Sequence, residues 1–124
     1  VKDVNCQARY SHTGVDTTDH ISMRVDNCLI DITATIETKI DENLIVYGEK
    51  GKITLPHSQW ADECIFERID GTKIIFSDNE TQNGFVGEIH EVIKCVRDGK
   101  KESSVVPHSL TINCSKVLDM ITQK

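Results

Sequence analysis

The feature that most constrains this chain is the alternation of apolar and polar residues in its N-terminal part. Val4, Cys6, Ala8 and Tyr10 alternate with Asn5, Gln7, Arg9 and Ser11. Ile21, Met23 and Val25 alternate with Ser22, Arg24 and Asp26. After the turn at Asp26-Asn27, Ile30, Ile32, Ala34 and Ile36 alternate with Asp31, Thr33, Thr35 and Glu37. A period of two sends successive side chains to opposite faces of an extended strand, so three antiparallel strands are predicted, each with one buried and one wet face. The wet face would present Asn5, Gln7, Arg9, Thr33 and Thr35, open to solvent, a domain partner or a second subunit.

The pattern continues through Asn43 to Tyr47, the Gly48-Glu49-Lys50-Gly51 turn and Lys52 to Leu55, where the later glycine can take the positive φ of a short hairpin loop. Two more β-rich runs, Glu63 to Ile69 and Thr72 to Phe76, flank Asp70-Gly71, a pair suited to a hairpin turn. After Phe76 the period changes. Phe85, Ile89, Val92, Ile93 and Val96 recur at helical spacing, and Gly99 stands where a left-handed cap belongs. A second helix is predicted after Pro107, with Ser109 as N-cap and Leu110, Cys114, Val117, Leu118 and Ile121 on one stripe. Strands first and helices afterwards predict an α+β fold: a mostly antiparallel, open-faced sheet of about six or seven strands, with two C-terminal helices packed on one face.

Charge and composition exclude several functions. With 14 Lys and Arg against 20 Asp and Glu, a formal net charge of −6, the chain has no basic stripe to neutralise phosphates, so no nucleic-acid partner is expected. No run approaches the length of a membrane span, so no membrane partner is expected either. The five cysteines form no Cys-x-x-Cys pair, and their odd number rules out a complete disulfide framework while leaving a single bridge open. A reduced, cytoplasmic setting fits best. The first residue is Val1 rather than Met, which suggests a processed product or a piece of a longer protein.

Candidate chemistry is sparse. Asp16 and His20 have an Asp-x-x-x-His spacing but are read as part of a polar loop leading into a strand, where the spacing does not bring both groups together. His12, His57, His90 and His108 are dispersed, so no metal site is expected. The cysteines have no local base to activate a thiolate and read as small core residues. No Gly-x-Gly-x-x-Gly element follows a strand, so the chain is not expected to bind a dinucleotide by that route. Trp60, the only tryptophan, reads either as an apolar plug between loop and sheet or as the wall of a substrate pocket.

The tail from Gly84-Phe85 through Glu88 to Ser103 and on to Pro107 resembles the closing helix and loop of the Gfo/Idh/MocA oxidoreductases. Thr13 to Asp16, the Asp26-Asn27 turn and Ile45 to Ile53 are similar to the same family in the same order, so the resemblance spans nearly the whole chain. Trp60 and Glu102-Ser103 look most like the dimeric dihydrodiol dehydrogenase branch. The resemblance implies that residues 1–124 are the C-terminal substrate and dimerisation domain of an enzyme that passes hydride between NAD or NADP and a sugar, cyclitol or diol. It implies an N-terminal Rossmann domain as partner, a homo-oligomer formed through the open sheet face, and a catalytically inactive chain when alone. The glycine-rich loop, the Glu-Lys-Pro lysine and the family's Asp-x-x-x-His element would all lie upstream of Val1. Cys28 stands where a glycine usually follows the Asp-Asn turn. Of the family's functional positions only Trp60 carries over, as a substrate-binding wall. The alternative reading is a stand-alone, non-catalytic binding or assembly module that uses the polar sheet face.

Overall fold

The computed structural model describes residues 1–79 and 83–122. Seven strands come first and two helices follow: β1 (Lys2–Tyr10), β2 (Asp16–Val25), β3 (Cys28–Thr35), β4 (Leu44–Gly48), β5 (Gly51–Leu55), β6 (Glu63–Arg68), β7 (Lys73–Ser77), α1 (Phe85–Arg97) and α2 (His108–Thr122). The fold is α+β, with open antiparallel sheets. The strands fall into two sheets, β1-β2-β3 and β4-β5-β6-β7, where the alternation alone suggested one. The chain correspondingly forms two compact units, Val1–Ile40 with Lys101–Lys124, and Asp41–Lys100. One helix belongs to each unit.

In the first unit, register sorts the residues as the alternation requires. Cys6 pairs with Ile21, Ile21 with Ile32, and Met23 with Ile30, which makes one face apolar. Asn5, Gln7 and Arg9 pair with Ser22, His20 and Thr18, and these pair in turn with Asp31, Thr33 and Thr35. The predicted polar face therefore exists as a continuous surface. Its hydroxyls bond across the strands: Thr18 Oγ1 lies 2.8 Å from Thr35 Oγ1, and His20 Nδ1 lies 3.2 Å from Thr33 Oγ1. Met23, at 8% exposure, is the buried hydrophobic side chain among the described residues, and α2 lies against β1.

The turns follow from residues that tolerate unusual backbone. Val25 pairs with Cys28 across Asp26-Asn27, and Asp26 takes φ +52°. The left-handed residue of this turn is thus an Asp, one of the few side chains that reach that region readily, and Cys28 lies in the strand. At the β6–β7 turn Gly71 takes φ +84°, and the Asp70 carboxylate accepts the Thr72 N–H at 2.8 Å. That bond holds the Asp70 carboxyl below its ordinary value.

In the second unit one sheet face is apolar along most of its length: Leu44 and Val46 on β4, Ile53 and Leu55 on β5, Cys64 and Phe66 on β6, Ile74 and Phe76 on β7, with Gly48, Gly51 and the Arg68 that pairs with Gly51 at the end of the row. On the other face Glu67 receives Lys73 at 3.3 Å and Lys52 at 3.6 Å. The Lys73 hydrogen bond is the main reason its carboxyl is held below the usual carboxylate range.

Helix α1 ends as its sequence predicts. Gly99 takes φ +66°, its N–H donates to Val96 O at 3.2 Å, and Lys100 N–H donates to Cys95 O at 2.9 Å. This is a Schellman ending, which satisfies two carbonyls that the helix would otherwise leave bare. Gly99→Ala meets open space, so only backbone strain opposes it. It should destabilise the end of the helix by about 1 kcal/mol, measured as faster amide exchange at residues 99 and 100. The start of α2 departs from expectation. The helix begins at His108, whose N–H donates to the Glu102 carboxylate at 2.7 Å, so a side chain six residues upstream does the capping assigned to Ser109.

Candidate functional site

One open cavity of about 690 Å³ lies within the second unit, a size ordinary for a small-molecule pocket. Trp60 and Phe85 line it, together with Leu55 at the end of β5, the Ser58 to Asp62 loop, Asp78 after β7, and Asn83-Gly84 before α1. The backbone brings these pieces together. Asp78 N–H donates to Asp62 O at 2.7 Å, tying the end of β7 to the loop, and Ser58 N–H donates to Glu42 O at 2.7 Å. Trp60 N–H closes a turn on His57 O at 2.7 Å, and His57 sits at φ +50°. A left-handed conformation costs a β-carbon residue on the order of 1 kcal/mol, so the turn that presents Trp60 is held by its surroundings.

Another part of the lining is set by the start of α1. Asn83 Oδ1 accepts the Phe85 N–H at 2.9 Å and Asn83 O accepts Val86 N–H at 3.0 Å, which fixes where the helix begins and therefore where Phe85 projects. Trp60 is 67% exposed and Phe85 57%, so both rings are available to a ligand. Trp60 was singled out from sequence. Phe85 was legible only as the first member of a helical stripe, and Asp62 and Asp78 carried no local signal because strands β6 and β7 separate them.

The other sequence candidates lie elsewhere. Asp16 and His20 both belong to β2 and not to a loop, which corrects that reading; four residues along a strand span roughly 13 Å, so the groups do not converge. Asp19 faces the apolar side between Ala8 and Ala34, where burial first and then Asp16 raise its carboxyl pKa. Burial, aided by Asp19 and Asp16, raises the Cys6 thiol, and burial, aided by Glu91, raises Cys95, so both stay protonated near neutrality. No disulfide joins the five cysteines, all of which are among the described residues. No cluster of three His, Cys, Asp or Glu suited to a metal occurs among the described residues, and no described helix is long and apolar enough to cross a membrane.

Among the described residues all five strand pairings are antiparallel, so the parallel strand–helix–strand unit whose glycine-rich helix N-terminus receives a pyrophosphate does not occur among them. Compared with known proteins, the chain matches no protein-family model and no curated protein.

Proposed function

We propose that this chain is the substrate-pocket and association domain of an NAD(P)-dependent oxidoreductase of the Gfo/Idh/MocA type, acting on a sugar, cyclitol or diol in the cytoplasm. The dinucleotide and the groups that move hydride belong to a Rossmann domain that pairs with it. The observation that carries this reading is the cavity walled by Trp60 and Phe85. Aromatic faces cover the C–H surface of a polyol, and the neighbouring carboxylate and amide side chains can bond its hydroxyls. The uncovered apolar face of the four-stranded sheet supports a partner domain: Leu44 is 51% exposed, Val46 49% and Phe76 59%. Contiguous apolar surface of this kind marks an interaction site.

Calorimetric titration of NADH and NADPH into this chain, and into the complete product of the reading frame that encodes it, tests the proposal. Binding by the longer protein alone is the expected result. Tight binding by the 124 residues alone overturns it, and binding by neither favours a second reading, a non-catalytic assembly module. That reading draws support from the continuous polar face of β1, β2 and β3, which could join two copies of the chain.

A further inference from the structure

The cavity carries information about charge as well as shape. Two carboxylate residues, Asp62 and Asp78, line it, and no Lys, Arg or His does so among the described residues. The N-terminus of α1 also opens here, but a helix dipole supplies only about half a positive charge, so two full carboxylates outweigh it. The two rings act in the same direction, because the face of an indole or benzene ring attracts a cation and repels an anion. Wall, carboxylates and amides together therefore define a site that is electronegative, partly apolar and rich in hydrogen-bond acceptors.

We propose that the cavity selects for positive charge: it takes a small hydroxylated molecule bearing an ammonium group and turns away the corresponding acid. This rests on the cavity being the substrate pocket, and it adds the substrate's charge to that reading. The C–H face of the ligand lies against Trp60 or Phe85, its ammonium group faces Asp62 and Asp78, and its hydroxyls meet Gln59 and Asn83. A carboxylate or phosphate on the ligand would sit in the field of two like charges with no cation to receive it.

Because Trp60 is the only tryptophan, its emission reports directly on the site. Glucosamine, at a pH where its amine is protonated, glucose and glucuronate are titrated separately into the protein. Glucosamine should bind about three- to five-fold more tightly than glucose, a preference of the size expected for a partly exposed charge pair, with glucuronate weakest. Raising the salt concentration should shrink that preference without any mutation, and Asp62→Asn with Asp78→Asn should abolish it. The backbone bond between these residues survives the change, and circular dichroism confirms that the variant is folded. Equal affinity for glucosamine and glucose overturns the charge selectivity alone. A preference indifferent both to salt and to the two substitutions overturns it as well. If none of the three sugars alters Trp60 emission, the substrate-pocket reading falls together with it.

Discussion

Gly51→Ala is expected to destabilise the four-stranded sheet by about 3–4 kcal/mol, enough to unfold most of the second unit. Gly51 pairs with Gly48 on one side and Arg68 on the other, at φ +145°. A β-carbon there would stand 2.1 Å from Glu67 O and 2.9 Å from Arg68 Cα. Both obstacles are backbone, so no rotamer change relieves the clash. The sheet must either part between β5 and β6 or lose its register. Gly14→Ala is the matched control: its φ is +85° but nothing lies within 4 Å of the added carbon, so only conformational strain of about 1 kcal/mol is expected. Urea unfolding followed by Trp60 emission and far-ultraviolet circular dichroism separates the two. Equal midpoint shifts would show that close approach contributes nothing at Gly51.

Met23→Ala should be the most damaging side-chain truncation in the first unit, at about 2–3 kcal/mol. Met23 is 8% exposed and sits on the apolar face of β2, with Ile30 across the strand and Ile21 two residues before it. Removing it leaves a cavity in the middle strand of a three-stranded sheet, where neighbours on both sides are fixed by hydrogen bonds and cannot collapse inward. Leu29→Ala, one residue away on the paired strand but 76% exposed, should change stability by no more than about 0.5 kcal/mol. Amide exchange in β2 measures both. An equal loss of protection in the two variants would mean that burial at Met23 does not anchor the sheet.

These two expectations differ in how far they could be foreseen. Met23 stood in an apolar alternation, so its face was legible, although its depth of burial relative to Ile21 or Ile30 was not. At Gly51 the positive φ was anticipated from a short hairpin, but the contact with Glu67 comes from β6, a strand that sequence could not align against β5. The candidate site divides in the same way. Trp60 attracted attention as a lone large aromatic in a loop, whereas Asp78 and Phe85 become its neighbours only because Asp78 N–H reaches Asp62 O and Asn83 starts α1 where it does.

What the sequence determined by itself is local. The period of two assigned the strand faces, the period near 3.6 assigned both helices, and Gly99, Gly71 and Asp26 stopped or turned the chain where backbone sterics allow few other residues. These features depend on a few consecutive residues, so a few consecutive residues specify them. The tertiary structure decided which strands share a sheet, that the seven divide into three and four, and which loop residues surround one cavity. An antiparallel strand presents the same alternating faces and the same row of unpaired N–H and C=O groups to any potential neighbour. Only the closure of the whole chain selects the partner, and with it the site.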